Sequence, residues 1–271
     1  MPTLRLTLYL LVLLPLQLFS GSTNQTNTTS VSIAPIISYL LSNSEDKNLG
    51  RIMPLGDSIT WDWHYSDSRP NSQLHAYRSH LWWKLKDKKY KMDFVGSRSN
   101  GSAIRPSFDG NNEGYTGQSC TYIESNIYKW LSNNPADTIL LHIGTNDSGI
   151  HSPARAVYHT EQILNQIDRF ERNKKVKVKV ILAKIIKLYR NGNGSYDWVI
   201  DYNRKLGIMA KKRIDKGDNL MVVNMETGAG LNYSRDMIDG IHPTNCGYEK
   251  MATVWYEALT GKDAPGLKSC Y

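Results

Sequence analysis

Five short apolar runs recur along the chain and predict the strands of a buried sheet. The runs at 138–143 and 178–183 are almost continuously apolar, which is typical of strands covered on both faces. The five predicted strands are 50–56, 91–96, 137–144, 176–185 and 219–225.

Stretches with helical spacing separate these runs. Leu81, Trp82 and Leu85 fall on one face of a predicted helix, and the same spacing recurs in four later segments. Strands that alternate with helices favour a parallel sheet covered on both sides. We therefore predict an α/β fold, a three-layer α/β/α sandwich around a five-stranded parallel sheet, with no internal repeat. The predicted helices are 77–87, 122–131, 154–172, 197–214 and 244–259.

The N-terminus has a different pattern. Arg5 precedes an apolar run that has the length of a signal-peptide core and is shorter than the roughly 20 residues of a membrane span. We predict a signal peptide over 1–22, an Asn/Thr/Ser-rich disordered leader over 23–45 and one folded domain over 46–271. A signal anchor is the less favoured alternative because polar residues and a proline interrupt the run. The chain is therefore expected to be secreted, without stable membrane insertion.

Composition and charge narrow the classes of partner. The chain of 271 residues is 40% hydrophobic and 21% charged, which is ordinary for a globular domain. Its net charge of +8 becomes +7 without Arg5, the one charged residue of 1–22. The basic clusters at 84–91 and 172–180 are interpreted as solvated faces at the ends of elements, and no nucleic-acid partner is predicted. Attraction to an acidic polymer remains open.

Cysteines and glycosylation sequons agree with secretion. Cys120, Cys246 and Cys270 allow one disulfide with one thiol left over, and the sequence leaves all three pairings open. No spacing typical of a zinc site is present. Six Asn-x-Ser/Thr sequons make this a candidate glycoprotein. They begin at Asn24, Asn27, Asn100, Asn146, Asn193 and Asn232.

Four polar residues follow directly on predicted strands or precede the last helix. Ser58 comes after the first strand, Asn146 after the third, and Asp239 with His242 before the last helix. Loops at the carboxyl ends of parallel strands meet in one crevice, so these side chains are expected to converge. A serine becomes a nucleophile when a base takes its proton, imidazole suits that role near neutral pH, and a carboxylate orients the imidazole. The predicted catalytic residues are thus Ser58, His242 and Asp239.

Each residue also has a structural explanation. Ser58 could be a helix N-cap, and Asp239 with Gly240 is a common turn pair. His142, inside an apolar strand, is interpreted as a core residue. His64 and Asp147 raise the alternative of a metal-dependent phosphoesterase, but no further histidine cluster completes such a site. We therefore predict no metal and no cofactor.

The motifs that carry these residues resemble a known family. "GDSIT", "GTND" and "DGIHP" are similar, in that order, to the Gly-Asp-Ser (SGNH) hydrolase superfamily. The resemblance implies a flavodoxin-like SGNH hydrolase domain over 46–271. It also implies an oxyanion hole formed by the N–H groups of Ser58 and Gly117 and the side-chain amide of Asn146. Gly114 is the competing glycine, since both lie in "NEGYTGQSC".

A closer resemblance covers about residues 50–260. "YRSHLWWKL", "MDFVGS", "EGYTG" and "DGIHPTNCGYEKMATVWYEAL" resemble family 3 of the carbohydrate esterases, which includes acetylxylan esterases. This implies a serine esterase that removes short acyl groups, notably acetyl, from carbohydrate. A lipid or lysophospholipid esterase and a non-catalytic carbohydrate-binding protein are the alternatives. The polar stretch 61–76 with its two tryptophans favours sugars over acyl chains. The oligomeric state is not predicted.

Overall fold

The computed structural model describes residues 47–188, 195–267 and 270. The predicted signal peptide (1–22) and leader (23–45) lie outside the described residues. The described part of the chain from Lys47 onward forms one compact unit. None of its helices is long and apolar enough to cross a membrane.

A twisted sheet of seven strands runs through the described domain. All pairings are parallel except β3–β4, which is antiparallel. The order is β3–β4–β1–β5–β6–β7, and β2 also pairs with β1. The strands are β1 (Asn48–Gly56), β2 (Lys91–Phe94), β3 (Arg98–Ser99), β4 (Asn111–Gly114), β5 (Thr138–His142), β6 (Lys179–Lys184) and β7 (Leu220–Asn224).

The predicted α/β sandwich is confirmed, with a correction to the strand count. The five apolar runs become β1, β2, β5, β6 and β7, whose order β2–β1–β5–β6–β7 is that of a flavodoxin-like doubly wound sheet. The sheet nevertheless has seven strands, not five. The additional strands β3 and β4 are short and polar, so they lack the apolar run from which the other strands were predicted. β4 pairs with the end of β1, where Leu55 lies opposite Glu113 and Gly56 opposite Gly114, and β3 pairs with β4.

Helices cover both faces of the sheet. Alternate residues of β5 point to opposite layers: Ile139 and Leu141 pack into the core under α3, α4 and α5, and Leu140 packs into the core under α2 and α7. The helices are α1 (Ser58–Trp61), α2 (Ala76–Asp87), α3 (Cys120–Asn133), α4 (Pro153–Lys174), α5 (Ser195–Ile214), α6 (Met225–Gly228) and α7 (Asn245–Thr260). Short 3₁₀ turns cover Asn71–Gln73 and Asn146–Gly149.

Helix α7 begins where the sequence predicts. The side chain of Thr244 accepts a hydrogen bond from the Gly247 amide and caps the helix. Cys246, in its first turn, forms a disulfide with Cys270, and Cys120 is a buried free thiol in α3. One of the three open pairings is thereby selected.

One basic cluster departs from its interpretation as a solvated face. Lys84 is buried, and its Nζ lies 3.3 Å from the Glu249 carboxylate and donates to the Pro265 carbonyl at 3.1 Å. The later lysines of the cluster are exposed. Lys84 lies on the face of α2 that packs against α7, so the cluster is only partly a solvated face.

Candidate active site

The turn from β1 into α1 presents Ser58 as the first residue of a short helix. Asp57, not Ser58, is the N-cap, and its carboxylate accepts a hydrogen bond from the Ile59 amide at 3.0 Å. Gly56 is required just before it, because a Cβ there would lie 2.2 Å from the His142 carbonyl oxygen. The tight approach of β1 to β5 therefore fixes where the serine emerges. Its hydroxyl is left free for another partner.

That partner is His242. The Ser58 Oγ lies 2.9 Å from His242 Nε2, across 184 residues of sequence. On the other side of the ring, His242 Nδ1 lies 2.8 Å from the Asp239 carboxylate. Asp239 also accepts hydrogen bonds from the backbone amides of Ile241 and His242, at 3.0 and 2.8 Å. Backbone amides of the loop before α7 thus fix the position of the Asp239 carboxylate, and this carboxylate orients the His242 ring.

The environment sets the charge of each group. Burial lowers the pKa of His242 below its ordinary value, although Asp239 acts in the opposite direction. Burial raises the pKa of Asp239, but hydrogen bonds from the His242 backbone and ring outweigh it, and the net pKa lies below the usual range. At neutral pH a neutral imidazole therefore lies between a serine hydroxyl and an ionised carboxylate. This arrangement can move a proton from the hydroxyl to the ring.

The predicted oxyanion donors Gly117 and Asn146 line a small cavity together with Ser58 and His242. Gly117 has φ +74°, a left-handed conformation, and a Cβ at this position would meet no atom within 4 Å. Glycine is therefore favoured there by its backbone angle alone. Asn146 begins the 3₁₀ turn after β5, and one of its side-chain N–H groups donates to the Gln118 carbonyl at 3.0 Å. That bond orients the amide and leaves its second N–H for another acceptor.

Gly114, the competing glycine, is differently placed. It belongs to β4, where its amide donates to Asn112 Oδ1 at 2.8 Å and its carbonyl accepts from Arg98 at 2.6 Å. Both of its backbone groups are therefore engaged in the structure. Within the described chain, the amides of Ser58 and Gly117 have no hydrogen-bond acceptor. The geometry thus favours Gly117 over Gly114 as a donor.

The cavity at Ser58 has a volume of about 160 Å³. Its walls combine Ser58, His242 and the predicted oxyanion residues Gly117 and Asn146 with a few apolar side chains. Tyr65, 94% exposed, stands at its rim. The other lining residues are Trp63, Thr116, Thr145, Leu188 and Ile241.

The two remaining histidine hypotheses have different outcomes. His142 is fully buried in β5, and burial lowers its pKa to about 4, as expected of a core residue. His64 and Asp147 do not share a site: the His64 ring contacts Ser66 and Asp67, and the Asp147 carboxylate accepts from the Cys120 amide. In the part of the chain that the structure describes, no three His, Cys, Asp or Glu side chains are grouped to hold a metal ion.

Sequence reasoning missed two features near the site. The His64 ring lies beside that of His242, with ring centroids 6.1 Å apart. Asp57 is fully buried, and burial raises its pKa to about 7. The Asp-Ser pair preceding a helix is a capping signal, so the cap could have been predicted. Nothing in the sequence indicates that the cap is cut off from water.

The chain matches a known protein family over most of its length. The model of the GDSL-like Lipase/Acylhydrolase family matches residues 52–255. The chain belongs to this family. The matched segment of the acylhydrolase runs from β1 into α7 and includes Ser58, Asn146, Asp239 and His242. Residues 52–255 are therefore a carboxylic ester hydrolase domain.

Relatives of the acylhydrolase include carbohydrate esterases. It is 28% identical over 235 residues to a multidomain esterase of Ruminococcus flavefaciens, which covers 78% of this chain but only 28% of that relative's length. A family 3 carbohydrate esterase of Clostridium thermocellum superposes with a TM-score of 0.61 at 26% identity, covering 78% of this chain and 98% of the other. A family 3 carbohydrate esterase from Talaromyces cellulolyticus has a TM-score of 0.63 at 24% identity, covering 77% and 95%. The last likeness concerns the fold alone.

Proposed function

We propose that the protein is a secreted serine esterase that hydrolyses short-chain esters, chiefly acetyl, on carbohydrate. The observation that carries this proposal is the run of contacts Ser58 Oγ–His242 Nε2 at 2.9 Å and His242 Nδ1–Asp239 at 2.8 Å, inside a small cavity. The similarity to family 3 carbohydrate esterases supports the class of substrate.

In the first half of the reaction, Ser58 Oγ attacks the ester carbonyl carbon as its proton passes to His242 Nε2. The C–O bond to the sugar then breaks, and the imidazolium returns the proton to the leaving sugar oxygen. Asp239 keeps Nδ1 protonated and stabilises the charged ring. Water attacks the acyl-enzyme in the second half, with His242 again as base, and releases the free acid and the serine.

The negative charge that develops on the carbonyl oxygen is stabilised by three donors. These are the amides of Ser58 and Gly117, which have no other acceptor among the described residues, and the second N–H of Asn146. Such donors are already oriented before the reaction and act where little water competes. No cofactor or metal takes part in this mechanism.

The size of the cavity supports a short acyl group. About 160 Å³ is well below the roughly 300–1,000 Å³ of pockets that enclose drug-sized ligands. An acetyl group fits such a space, whereas each further methylene of a long acyl chain needs room that its walls do not offer. This favours an acetyl ester over a lipid ester.

Export from the cell is supported by two features. The disulfide Cys246–Cys270 belongs to an oxidising compartment, where disulfides persist. The apolar N-terminal run has the pattern of a secretory signal. The glycosylation sequons are consistent with the same route in a eukaryotic host.

The test is a series of nitrophenyl esters from two to twelve carbons, followed by acetylated xylan, with and without a chelator. We expect the highest kcat/KM at two to four carbons, release of acetate from the polymer and no effect of the chelator. Maximal activity at eight carbons or longer would support the lipid esterase instead. Loss of activity on chelation would contradict a serine mechanism.

A further inference from the structure

A second and larger cavity lies on the far side of the loop that carries His242. It has a volume of about 420 Å³ and is bounded by α2, the start of α7 and the segment after α1. Residues that line this cavity are neighbours in sequence of residues that line the Ser58 cavity. Asp62 precedes Trp63, and Pro243 follows His242, with one member of each pair in each cavity. We call it the α2–α7 cavity; it is lined chiefly by Asp62, His75, His80, Trp83, Asn245 and Tyr248.

The charges of Arg69 and Asp62 in the α2–α7 cavity are compensated internally. Arg69 lies between two carboxylates, 3.2 Å from Asp62 and 2.6 Å from Asp67. Asp62 also accepts a hydrogen bond from the His75 amide at 2.8 Å. Neither the guanidinium nor the carboxylate is left without a counter-charge. A strongly charged ligand would therefore gain little from this pair, and Arg105, at the exposed edge of the cavity, donates to the carbonyls of Ser102 and Ile104.

The polar side chains deeper in the cavity are neutral donors and acceptors. Burial lowers the pKa of His75 to about 4 and also lowers that of His80, so both rings are neutral at pH 7. His80 Nε2 lies 2.9 Å from Asn245 Oδ1. His75 Nδ1 is likewise engaged, with Ser79 Oγ at 2.7 Å, so each neutral ring has one further nitrogen that can pair with the hydroxyl group of a sugar. The cavity thus suits a ligand with several neutral hydroxyls.

Tyr248 carries the strongest indication of a ligand. The residue is only 2% exposed, and within the described chain its hydroxyl has no hydrogen-bond partner. Buried hydroxyls are normally hydrogen-bonded, so an unpaired hydroxyl on a residue that lines a cavity indicates a group that a ligand can satisfy. Burial, and after it the neighbouring charge of Asp62, raises the pKa of this hydroxyl, which therefore stays protonated and able to donate.

Trp83 adds an apolar wall. Its indole N–H donates to the Pro106 carbonyl at 3.1 Å, and its ring packs edge-on against His80. The indole is held in place with its polar atom already satisfied, so what it offers the cavity is apolar ring surface. Aromatic surface beside hydrogen-bonding groups is a combination that suits a sugar ring, which has C–H faces and a hydroxyl rim.

We propose that the α2–α7 cavity is a carbohydrate-binding subsite that holds a neutral sugar unit of the substrate, away from the reacting ester. The inference rests on the proposed carbohydrate esterase function. It assigns the acyl group to the small cavity at Ser58 and a sugar ring to the larger one. The volume of about 420 Å³ lies within the range of small-molecule pockets.

The test separates binding from catalysis by using the full chain with Ser58→Ala. Unacetylated xylotetraose, cellotetraose and mannotetraose are titrated into this variant by calorimetry. We expect at least one to bind at millimolar concentration or below, and Tyr248→Phe to weaken it about tenfold, the effect of one hydrogen bond. Asn245→Ala, at an exposed position on the rim, should weaken it similarly even if Tyr248→Phe fails to fold.

The matched control is Tyr256→Phe, a buried tyrosine of α7 outside the cavity, which should bind as Ser58→Ala alone does. Failure of all three sugars to bind, or binding that neither cavity variant weakens, overturns the subsite. Hydrolysis of nitrophenyl acetate by the wild-type chain is measured in parallel. Its presence without sugar binding contradicts the subsite and leaves the esterase function standing, whereas its absence contradicts that function directly.

Discussion

At the scale of single residues, Asn146 carries two sequence signals that disagree. Asn146-Asp147-Ser148 is a glycosylation sequon, which on its own indicates a surface loop. The side chain instead lines the Ser58 cavity and donates to the Gln118 carbonyl. A glycan attached to this nitrogen would take the space of the substrate. Here the local motif and the fold lead to opposite expectations, and the fold has the stronger physical basis.

We therefore predict that Asn146 carries no sugar and that Asn146→Ala folds normally but loses a factor of about 10²–10³ in kcat, the usual effect of removing one oxyanion donor. Asn146→Asp should lose at least as much, since a carboxylate repels the oxyanion. Glycopeptide mass spectrometry and kinetics on the same preparation check both points. The exposed sequon at Asn232 is the comparison site. A glycan on Asn146 in active enzyme would contradict the oxyanion role.

The pH dependence should follow His242. The ring must be neutral to accept the Ser58 proton, and its pKa lies below the ordinary histidine value of about 6.5. Activity should thus persist below pH 6.5 and fall only as pH drops through the lowered pKa. Asp239→Asn removes a group that raises this pKa, so the acid limb should move to still lower pH while kcat falls.

This is measured as kcat/KM against pH for the two proteins. An acid limb that lies above pH 7, or one that Asp239→Asn leaves in place, would contradict the assignment of His242 as the base.

Residues whose positions follow from a motif could be placed from the sequence, and residues whose surroundings follow from burial could not. Ser58, Asp239 and His242 stand at the carboxyl edge of the sheet, where topology alone brings them together. Asn100, by contrast, has the sequence of a glycosylation site but is buried, with its side chain bonded to Arg78 and to the Trp61 carbonyl. Its local sequence contains nothing that reveals these distant partners.

At the scale of elements, the N-cap Asp57 has two opposing effects on stability. Its hydrogen bond stabilises the start of α1, whereas burial of its charged form destabilises the fold. Asp57 accepts from the Ile59 amide, yet it is fully buried and its pKa rises from 3.8 to about 7. Between these two pH values the folded chain holds a proton that the unfolded chain has released. Stability therefore falls as pH rises from about 4 to 7 and stays at the lower level above.

Asp57→Asn keeps an oxygen for the Ile59 amide and removes the charge. We predict that its free energy of unfolding, relative to wild type, improves by up to about 4 kcal/mol between pH 4 and pH 8, which is a shift of about three pKa units converted to energy. Urea unfolding at several pH values measures this. Asp137→Asn, at an exposed position, serves as a charge-matched control. A difference that does not change with pH would contradict the burial of a neutral Asp57.

The sequence predicts a strand only where the residues of that strand are apolar. The sequence of β5 is buried at every position, and its run of apolar residues locates it. β4 is equally a part of the sheet, but its buried residues include Asn112 and Glu113. Their polar atoms bond to neighbouring loops, for example Glu113 to the Ser97 amide and hydroxyl. A buried polar strand has no hydrophobic signature, so it could not be predicted from one sequence.

At the scale of the whole molecule, the disulfide joins Cys270 to Cys246 in the first turn of α7. Cys246 lies four residues after His242 in the sequence. The disulfide closes a loop with a sequence separation of 24. Loop-closure entropy for this length is about 3 kcal/mol. We predict that the Cys246→Ser/Cys270→Ser double variant loses about that much of its free energy of unfolding, measured in urea. Wild type treated with reductant should lose the same amount, and an unchanged midpoint would contradict the pairing.

If Ser58 is the nucleophile that His242 activates, a reagent that reacts covalently with activated serines should label it. Wild type, Ser58→Ala and His242→Ala are treated with diisopropyl fluorophosphate, digested and mapped by mass spectrometry. We predict one adduct on the peptide that contains Ser58, no adduct in Ser58→Ala, and much slower labelling in His242→Ala, where no base takes the proton. An adduct on another residue, or labelling at Ser58 that proceeds at the same rate without His242, would contradict these roles.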